Sequence, residues 1–313
     1  FAQKNFTVEV EREPLKEIES LDELVTLALV QGQSGNVVWV YKNRMMNSGF
    51  RVINSQPCYV EIFTPDLKFQ KRCKNEWVLD AKRNPRFTWV HLGPVDVSLV
   101  GAALSRDAST WQIFAAKIDE QSGQLAPQSQ ICTLPASSMN SEMVFRYSPD
   151  SSHILIQETP VVEGKAGSNF AVLDRSLRFL WSASYPLAGL DLNSKLLIEK
   201  PSIDNSGNVW TVAYQKSKKK TWTAEIWKSS NGKSSPEKYA LPFPPGLMPQ
   251  QAIFTPTPDG KGFLCKGTYV DLKNPNPGRK WLKLIDDYAQ GFYYLNIDAS
   301  TGPTGVPKIQ PLQ

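Results

Sequence analysis

Ser148-Pro149-Asp150-Ser151-Ser152, Asp204-Asn205-Ser206-Gly207-Asn208 and Thr257-Pro258-Asp259-Gly260-Lys261 carry one turn signal in three copies, with their aspartates 54 and 55 residues apart. Each residue type has a reason to be there: Pro presets φ, Gly accepts positive φ, and Asp, Asn and Ser bond their own backbone two residues on. An apolar or aromatic run follows every copy: His153-Ile154-Leu155-Ile156, Val209-Trp210-Thr211-Val212 and Gly262-Phe263-Leu264-Cys265. An earlier relative, Ser34-Gly35-Asn36-Val37-Val38-Trp39, matches Ser206-Gly207-Asn208-Val209-Trp210 closely.

A second signal recurs in step with the first. Hairpins with polar turns centre on Asp66, Asp119, Asp174, Ser229 and Asp298, at steps of 53, 55, 55 and 69 residues. The extra residues of the last step fall between Asp271 and Gln290. Each module therefore reads strand, tight turn, strand, longer loop, strand, tight turn, strand. Four antiparallel strands repeated at a fixed period predict an all-β chain, a β-propeller of four-stranded antiparallel blades. Five blades are visible, at about 24–73, 86–131, 142–184, 196–241 and 250–310; a longer parent chain would carry six or more. A stacked β-sandwich competes, but sandwiches lack so strict a period. Residues 1–23 read as a lead-in. Within it Asn5 to Glu9 has the pattern of a strand that would complete the last blade and remove its open edge. Helical composition is confined to Glu13 to Leu27.

Composition bounds the function only loosely. The 313 residues carry 35 Lys and Arg against 30 Asp and Glu. A surplus of five points to neither nucleic acid nor an anionic membrane. Nine Trp, 23 Pro and 19 Gly suit many short strands and turns. No apolar run approaches the roughly 18–20 residues of a spanning helix. Phe1-Ala2-Gln3-Lys4 reads as the remnant of a signal peptide removed near Ala2, which predicts a secreted or periplasmic protein.

Phe145-Arg146-Tyr147-Ser148-Pro149-Asp150-Ser151-Ser152, Leu173-Asp174-Arg175-Ser176-Leu177 with Trp181, and Ile203-Asp204-Asn205-Ser206-Gly207-Asn208-Val209 together resemble a family of secreted WD40-like or TolB-like propeller proteins of Bacteroidetes. Phe114-Ala115-Ala116-Lys117-Ile118-Asp119 with Gly123-Gln124-Leu125 fits the same pattern, and the resemblance covers roughly residues 30 to 300. It implies a fold and an envelope location. It carries over no catalytic residue.

No reaction is spelled out. His91 and His153 stand in strands without the ligand company that zinc needs. Asp204-Asn205-Ser206-Gly207-Asn208 is one residue off the Asp box of sialidases and too short for a calcium loop, so it reads as a hairpin turn. Phosphate loop, nucleophile elbow and HExxH are missing from the sequence. Asp286-Asp287 is adjacent in sequence, which is not the spatial separation that paired catalytic carboxylates need. The chain implies neither metal nor cofactor. Cys58 and Cys73 straddle the hairpin at Thr64-Pro65-Asp66-Leu67. If Phe63 pairs with Lys68, the two cysteines fall opposite one another, within disulfide range. Cys132 and Cys265 read as buried strand residues.

Loop distribution is the functional clue. The loops between second and third strands run Lys42 to Gln56, Ser105 to Thr110, Thr159 to Ser168, Gln215 to Thr221 and Val270 to Gln290, and all leave one face. They carry Arg44, Met46, Phe50, Arg51, Lys218, Lys219, Lys220, Arg279, Lys280 and Trp281. Basic residues interleaved with aromatics suit a glycan or an acidic protein surface. The expectation is a non-enzymatic binding or scaffold protein of the cell envelope, compatible with membership of an outer-membrane complex. The alternative is a carbohydrate-active propeller enzyme, a hydrolase or lyase with acids at the axis mouth. A nucleic-acid partner is not expected.

Overall fold

A computed structural model describes residues 24–43, 57–77, 85–137, 141–159, 168–185, 196–198, 201–216, 222–241, 243–244, 246–249, 252–271 and 289–312. They form five antiparallel sheets, and no helix occurs among them. The first sheet holds β1 (Leu24–Gln31), β2 (Val37–Asn43), β3 (Pro57–Phe63) and β4 (Phe69–Glu76). The second holds β5 (Phe87–Leu92), β6 (Val97–Leu104), β7 (Thr110–Ile118) and β8 (Ser129–Pro135). The third holds β9 (Glu142–Tyr147), β10 (His153–Thr159), β11 (Ser168–Asp174) and β12 (Phe179–Tyr185).

The last two sheets have a divided first strand. In the fourth, β13 (Leu196–Ile198) and β14 (Ser202–Ile203) both pair with β15 (Val209–Lys216), followed by β16 (Trp222–Ser229) and β17 (Glu237–Ala240). Pro201, which has no N–H to donate, precedes β14. In the fifth, β18 (Leu247–Pro249) and β19 (Ile253–Pro256) both pair with β20 (Gly262–Asp271), followed by β21 (Gly291–Asp298) and β22 (Gly302–Pro311). Within every sheet, spatial order follows chain order. This is the make of a propeller blade, and the all-β expectation holds. Leu24 to Leu27, read from composition as part of a helix, lies in β1; tertiary pairing with β2 overrides the local propensity. Asn5 to Glu9 lies outside the described residues.

The chain divides into two compact units, Phe1–Thr133 and Leu134–Gln313. In the first, Val38, Val40, Val60 and Ile62 of one sheet share a core with Val97, Leu99, Phe114 and Ile118 of the next. A Cβ at Gly101 would come within 2.8 Å of the Phe114 ring and 2.9 Å of the Trp77 ring. The missing side chain lets those rings pack with centroids 4.9 Å apart. In the second unit, Leu155, Phe170 and Val172 of the third sheet meet Ile203 and Val209 of the fourth. Trp210, Val212 and Ile226 of the fourth meet Phe263, Cys265 and Leu295 of the fifth. Face-to-face cores explain why β6 is buried on both faces, whereas the outer strand β4 exposes Lys71 and Lys74. Lysines on a strand that is the edge of its sheet among the described residues also discourage pairing with another chain.

Candidate functional site

Each sheet has two ends of different character. At one end are the connections from first to second and from third to fourth strand. Most are tight turns held by their own side chains; the longer ones are residues 119–128 between β7 and β8 and 230–236 between β16 and β17 in chain order. Thr64 N–H donates to the Lys68 carbonyl at 2.9 Å and Leu67 N–H to the Thr64 carbonyl at 2.9 Å, with Leu67 at φ 64. Asp204 N–H and the Asn208 carbonyl, with Gly207 at φ 77, repeat this pattern. The Asp204 carboxylate accepts from the N–H groups of Ser206 and Asn208, both at 2.9 Å, and from the buried Trp210 indole at 2.9 Å. That accounts for the Asp204 motif as an anchored hairpin turn.

Turns of neighbouring sheets are stitched together at this end. In the second unit, Asn205 accepts from the Asp150 N–H at 3.1 Å and donates to the Gly260 carbonyl at 3.3 Å. The three copies of the repeat signal thus meet through one asparagine. In the first unit, Glu120 accepts from the N–H groups of Gln33 and Ser34 at 3.0 and 2.9 Å and from the Ser34 hydroxyl. The Gly32 turn lacks an aspartate at its first position, and the next sheet's Glu120 supplies the missing carboxylate.

The opposite end carries the connections from second to third strand. Four of them include residues 44–56, 160–167, 217–221 and 272–288, which lie outside the described residues. All ten proposed partner-binding residues, Arg44, Met46, Phe50, Arg51, Lys218, Lys219, Lys220, Arg279, Lys280 and Trp281, fall there. The topology nevertheless fixes where their loops attach. Because the turns at Ser148, Asp204 and Thr257 gather at one end, the loops after β10, β15 and β20 leave the second unit at the other. The fifth connection, Ser105 to Thr110, is a tight turn of the Ser-x-Asp kind, with Ser105 donating its hydroxyl to Asp107 at 2.6 Å and Ala108 at φ 57.

Two buried carboxylates went unnoticed in the sequence. Glu158, at the loop end of β10, is fully buried. It accepts from the Ser137 N–H at 2.6 Å, the Ser137 hydroxyl at 2.8 Å, the Ser141 hydroxyl at 2.6 Å and Asn169 Nδ2 at 2.6 Å. The arrangement pins the entry to β9 and the start of β11 to one acceptor. In the first unit, buried Glu61 accepts from the Tyr41 hydroxyl at 2.8 Å and pairs with Arg72 at 2.9 Å. Glu61 is flanked in β3 by Val60 and Ile62, whereas Glu158 follows Gln157 and precedes Thr159 at the end of β10, so neither local pattern marks a buried acid.

The cysteine pairing does not form. Cys58 stands opposite Asn75, and Cys73 opposite Val60. Two irregularities cause the offset. Leu67 adds a left-handed residue to the turn, so Phe63 pairs with Phe69 rather than Lys68, and a bulge then sets Ile62 against Lys71. Diagonal positions on neighbouring strands are about 7–8 Å apart, too far for a disulfide. None of the four cysteines is joined in a disulfide. Burial pushes Cys58 and Cys132 up to about 12.

Asp150, Ser152 and His153 adjoin in one turn. The Ser152 hydroxyl stands between the other two, 2.7 Å from the carboxylate and 2.8 Å from Nδ1. A nucleophilic relay needs the imidazole in the middle, so this is turn chemistry. Among the described residues no group of three or more His, Cys, Asp or Glu is placed to hold a metal.

No known protein family and no curated protein matches the chain. Among solved structures, the Dos1 propeller is similar at 9% identity and TM-score 0.44, covering 90% of this chain and 59% of that one. A prolyl endopeptidase shows 11% identity and TM-score 0.44, over 91% of this chain and 35% of its own. The polysaccharide lyase Uly1 shows 10% identity and TM-score 0.41, over 93% and 78%. The chain thus spans little more than half of the first of these proteins and about a third of the second.

Proposed function

We propose that the protein is a non-enzymatic binding or scaffold protein of the cell envelope, engaging a protein or glycan partner through the loop end of its blades. The asymmetry between the two ends carries the reading. At the turn end, backbone and side-chain donors are spent on one another, within turns and between neighbouring sheets. The loop end carries the two longest connections, residues 44–56 and 272–290, and its connections hold Lys218-Lys219-Lys220 and Arg279-Lys280-Trp281. Such residues suit a desolvated aromatic and cationic contact. The buried acids point the same way. Glu158 and Glu61 are enclosed and engaged by donors, which suits scaffolding better than proton transfer to a substrate.

The test is co-purification from native envelope. Wild-type protein should retain a partner that a variant with Lys218, Lys219, Lys220, Arg279 and Lys280 changed to Glu loses, while Lys261→Glu at the turn end retains it. Recovery of the wild-type protein with nothing attached contradicts the reading.

A further inference from the structure

Asn231-Gly232 is the single Asn-Gly pair in the 313 residues. It lies in the connection from β16 to β17, past the pairing of Lys228 with Glu237. The Lys233 N–H donates to the Ser230 carbonyl at 3.2 Å, and the Lys233 ammonium pairs with Glu237. Gly232 takes φ 77, and a Cβ there would meet nothing within 4 Å. Residues 231–235 are all exposed. The fourth sheet shares its cores with the third and the fifth, both of its own compact unit, so the setting of this turn is defined within that unit.

The other turn amides are tied down. Asn205 is held by the Asp150 N–H at 3.1 Å and the Gly260 carbonyl at 3.3 Å. Asn208 donates to the Asp204 carboxylate at 2.9 Å, and Asn36 to the Glu120 carbonyl at 3.3 Å. Among the described residues no hydrogen bond engages the Asn231 amide or the Gly232 N–H. Asp259-Gly260 is the instructive comparison, because an Asp-Gly pair can close the same ring. Its carboxylate accepts from the Thr257 hydroxyl at 2.7 Å and the Lys261 N–H at 3.1 Å. A Cβ at Gly260 would come within 2.7 Å of Asn205 Nδ2, so that turn is also crowded. Asn231-Gly232 combines the reactive pair with an open, unengaged setting.

We infer that Asn231 is a site of spontaneous covalent modification in the folded protein, its amide converted to aspartate and isoaspartate with water as co-reactant. The Gly232 amide nitrogen attacks Asn231 Cγ. A C–N bond forms, the Cγ–Nδ2 bond breaks, and ammonia leaves with the amide proton. Water then opens the resulting succinimide. Opening at Cγ gives aspartate, and opening at the main-chain carbonyl gives isoaspartate. Glycine favours the attack because it has no Cβ to crowd the nitrogen and allows the backbone a wide range of conformations. Either product sets a new carboxylate near Lys233, and isoaspartate adds one methylene to the main chain of the turn. The open space around Gly232 accommodates that change without disturbing the cores on either side. The inference stands apart from the binding reading above.

The experiment incubates the full chain in mildly alkaline buffer, native and in urea, and follows each amide by digestion and mass spectrometry. Isoaspartate-specific enzymatic methylation gives a second readout. The native protein should lose the Asn231 amide at a rate within about threefold of that in urea, whereas Asn205 should react about tenfold or more slowly than in urea, since its hydrogen bonds must open first. Gly232→Ala should slow the loss at 231 by about tenfold or more, because the added Cβ crowds the attacking nitrogen. Asn231→Gln, which would have to close a larger ring, should abolish the methylation signal from this turn and keep the wild-type urea midpoint. Unfolding of Gly232→Ala, measured in parallel, shows that its slower reaction is read on a folded chain. A native Asn231 amide protected as strongly as that of Asn205, or lost as fast in Gly232→Ala as in wild type, overturns the inference.

Discussion

Gly207 sits at φ 77, and a Cβ there would come within 2.9 Å of the His153 ring in the adjacent sheet. Gly232 has the same φ and nothing within 4 Å of the added atom. Gly232→Ala should therefore lose only the backbone term, about 1–2 kcal/mol, and Gly207→Ala should lose more, up to about 3 kcal/mol. Denaturant unfolding of the two variants checks the difference; equal losses would mean that His153 does not press on the turn. Glu158→Ala should be harsher, by about 3 kcal/mol or more, because several donors lose one acceptor in a buried place. At this scale the sequence was legible where a residue has only one use. Gly207 announced its turn. Glu158 and Glu61 did not announce themselves, since a buried acid is defined by distant donors such as Ser137 and Arg72.

The tight turns are the elements on which acid should act. The Ser105 hydroxyl, then the Ser109 N–H, hold Asp107 at about 2, down from the usual 3.8. The Ser300 hydroxyl, then the Thr301 N–H, hold Asp298 at about 2. The Thr257 hydroxyl, then the Lys261 N–H, lower Asp259 as well. A carboxyl with a depressed folded pKa contributes stability that is complete above its unfolded pKa and is lost as pH falls through the folded one. Stability should thus decline between about pH 4 and pH 2, and Asp107→Asn with Asp298→Asn should flatten that decline. Urea midpoints across this range measure it; an unchanged slope in the double variant would detach the turns from acid stability. The β3–β4 hairpin shows where element-level reading stops. Its existence was plain in the sequence, but its register was not. The left-handed Leu67 and one bulge moved Cys73 from opposite Cys58 to opposite Val60. Non-reducing mass analysis should find no disulfide, and mild alkylation should reach half-buried Cys73 before buried Cys58, Cys132 and Cys265. A bonded Cys58–Cys73 pair would contradict the register.

For the whole molecule, the repeat predicts orientation better than chemistry. Its period placed the four-stranded unit because turn residues and β-rich runs are local signals. The contact proposed for the loop end is not a local signal, since it would draw on residues from several connections far apart in the sequence. The measurement that bears most directly on this claim is site-specific photocrosslinking in native envelope. The crosslinker would be placed at 219 and 281 on the loop end, and at 67 and 231 on the turn end. The account predicts adducts with one partner from 219 and 281 and none from 67 or 231. Adducts from the turn-end positions, with none from 219 and 281, would contradict it.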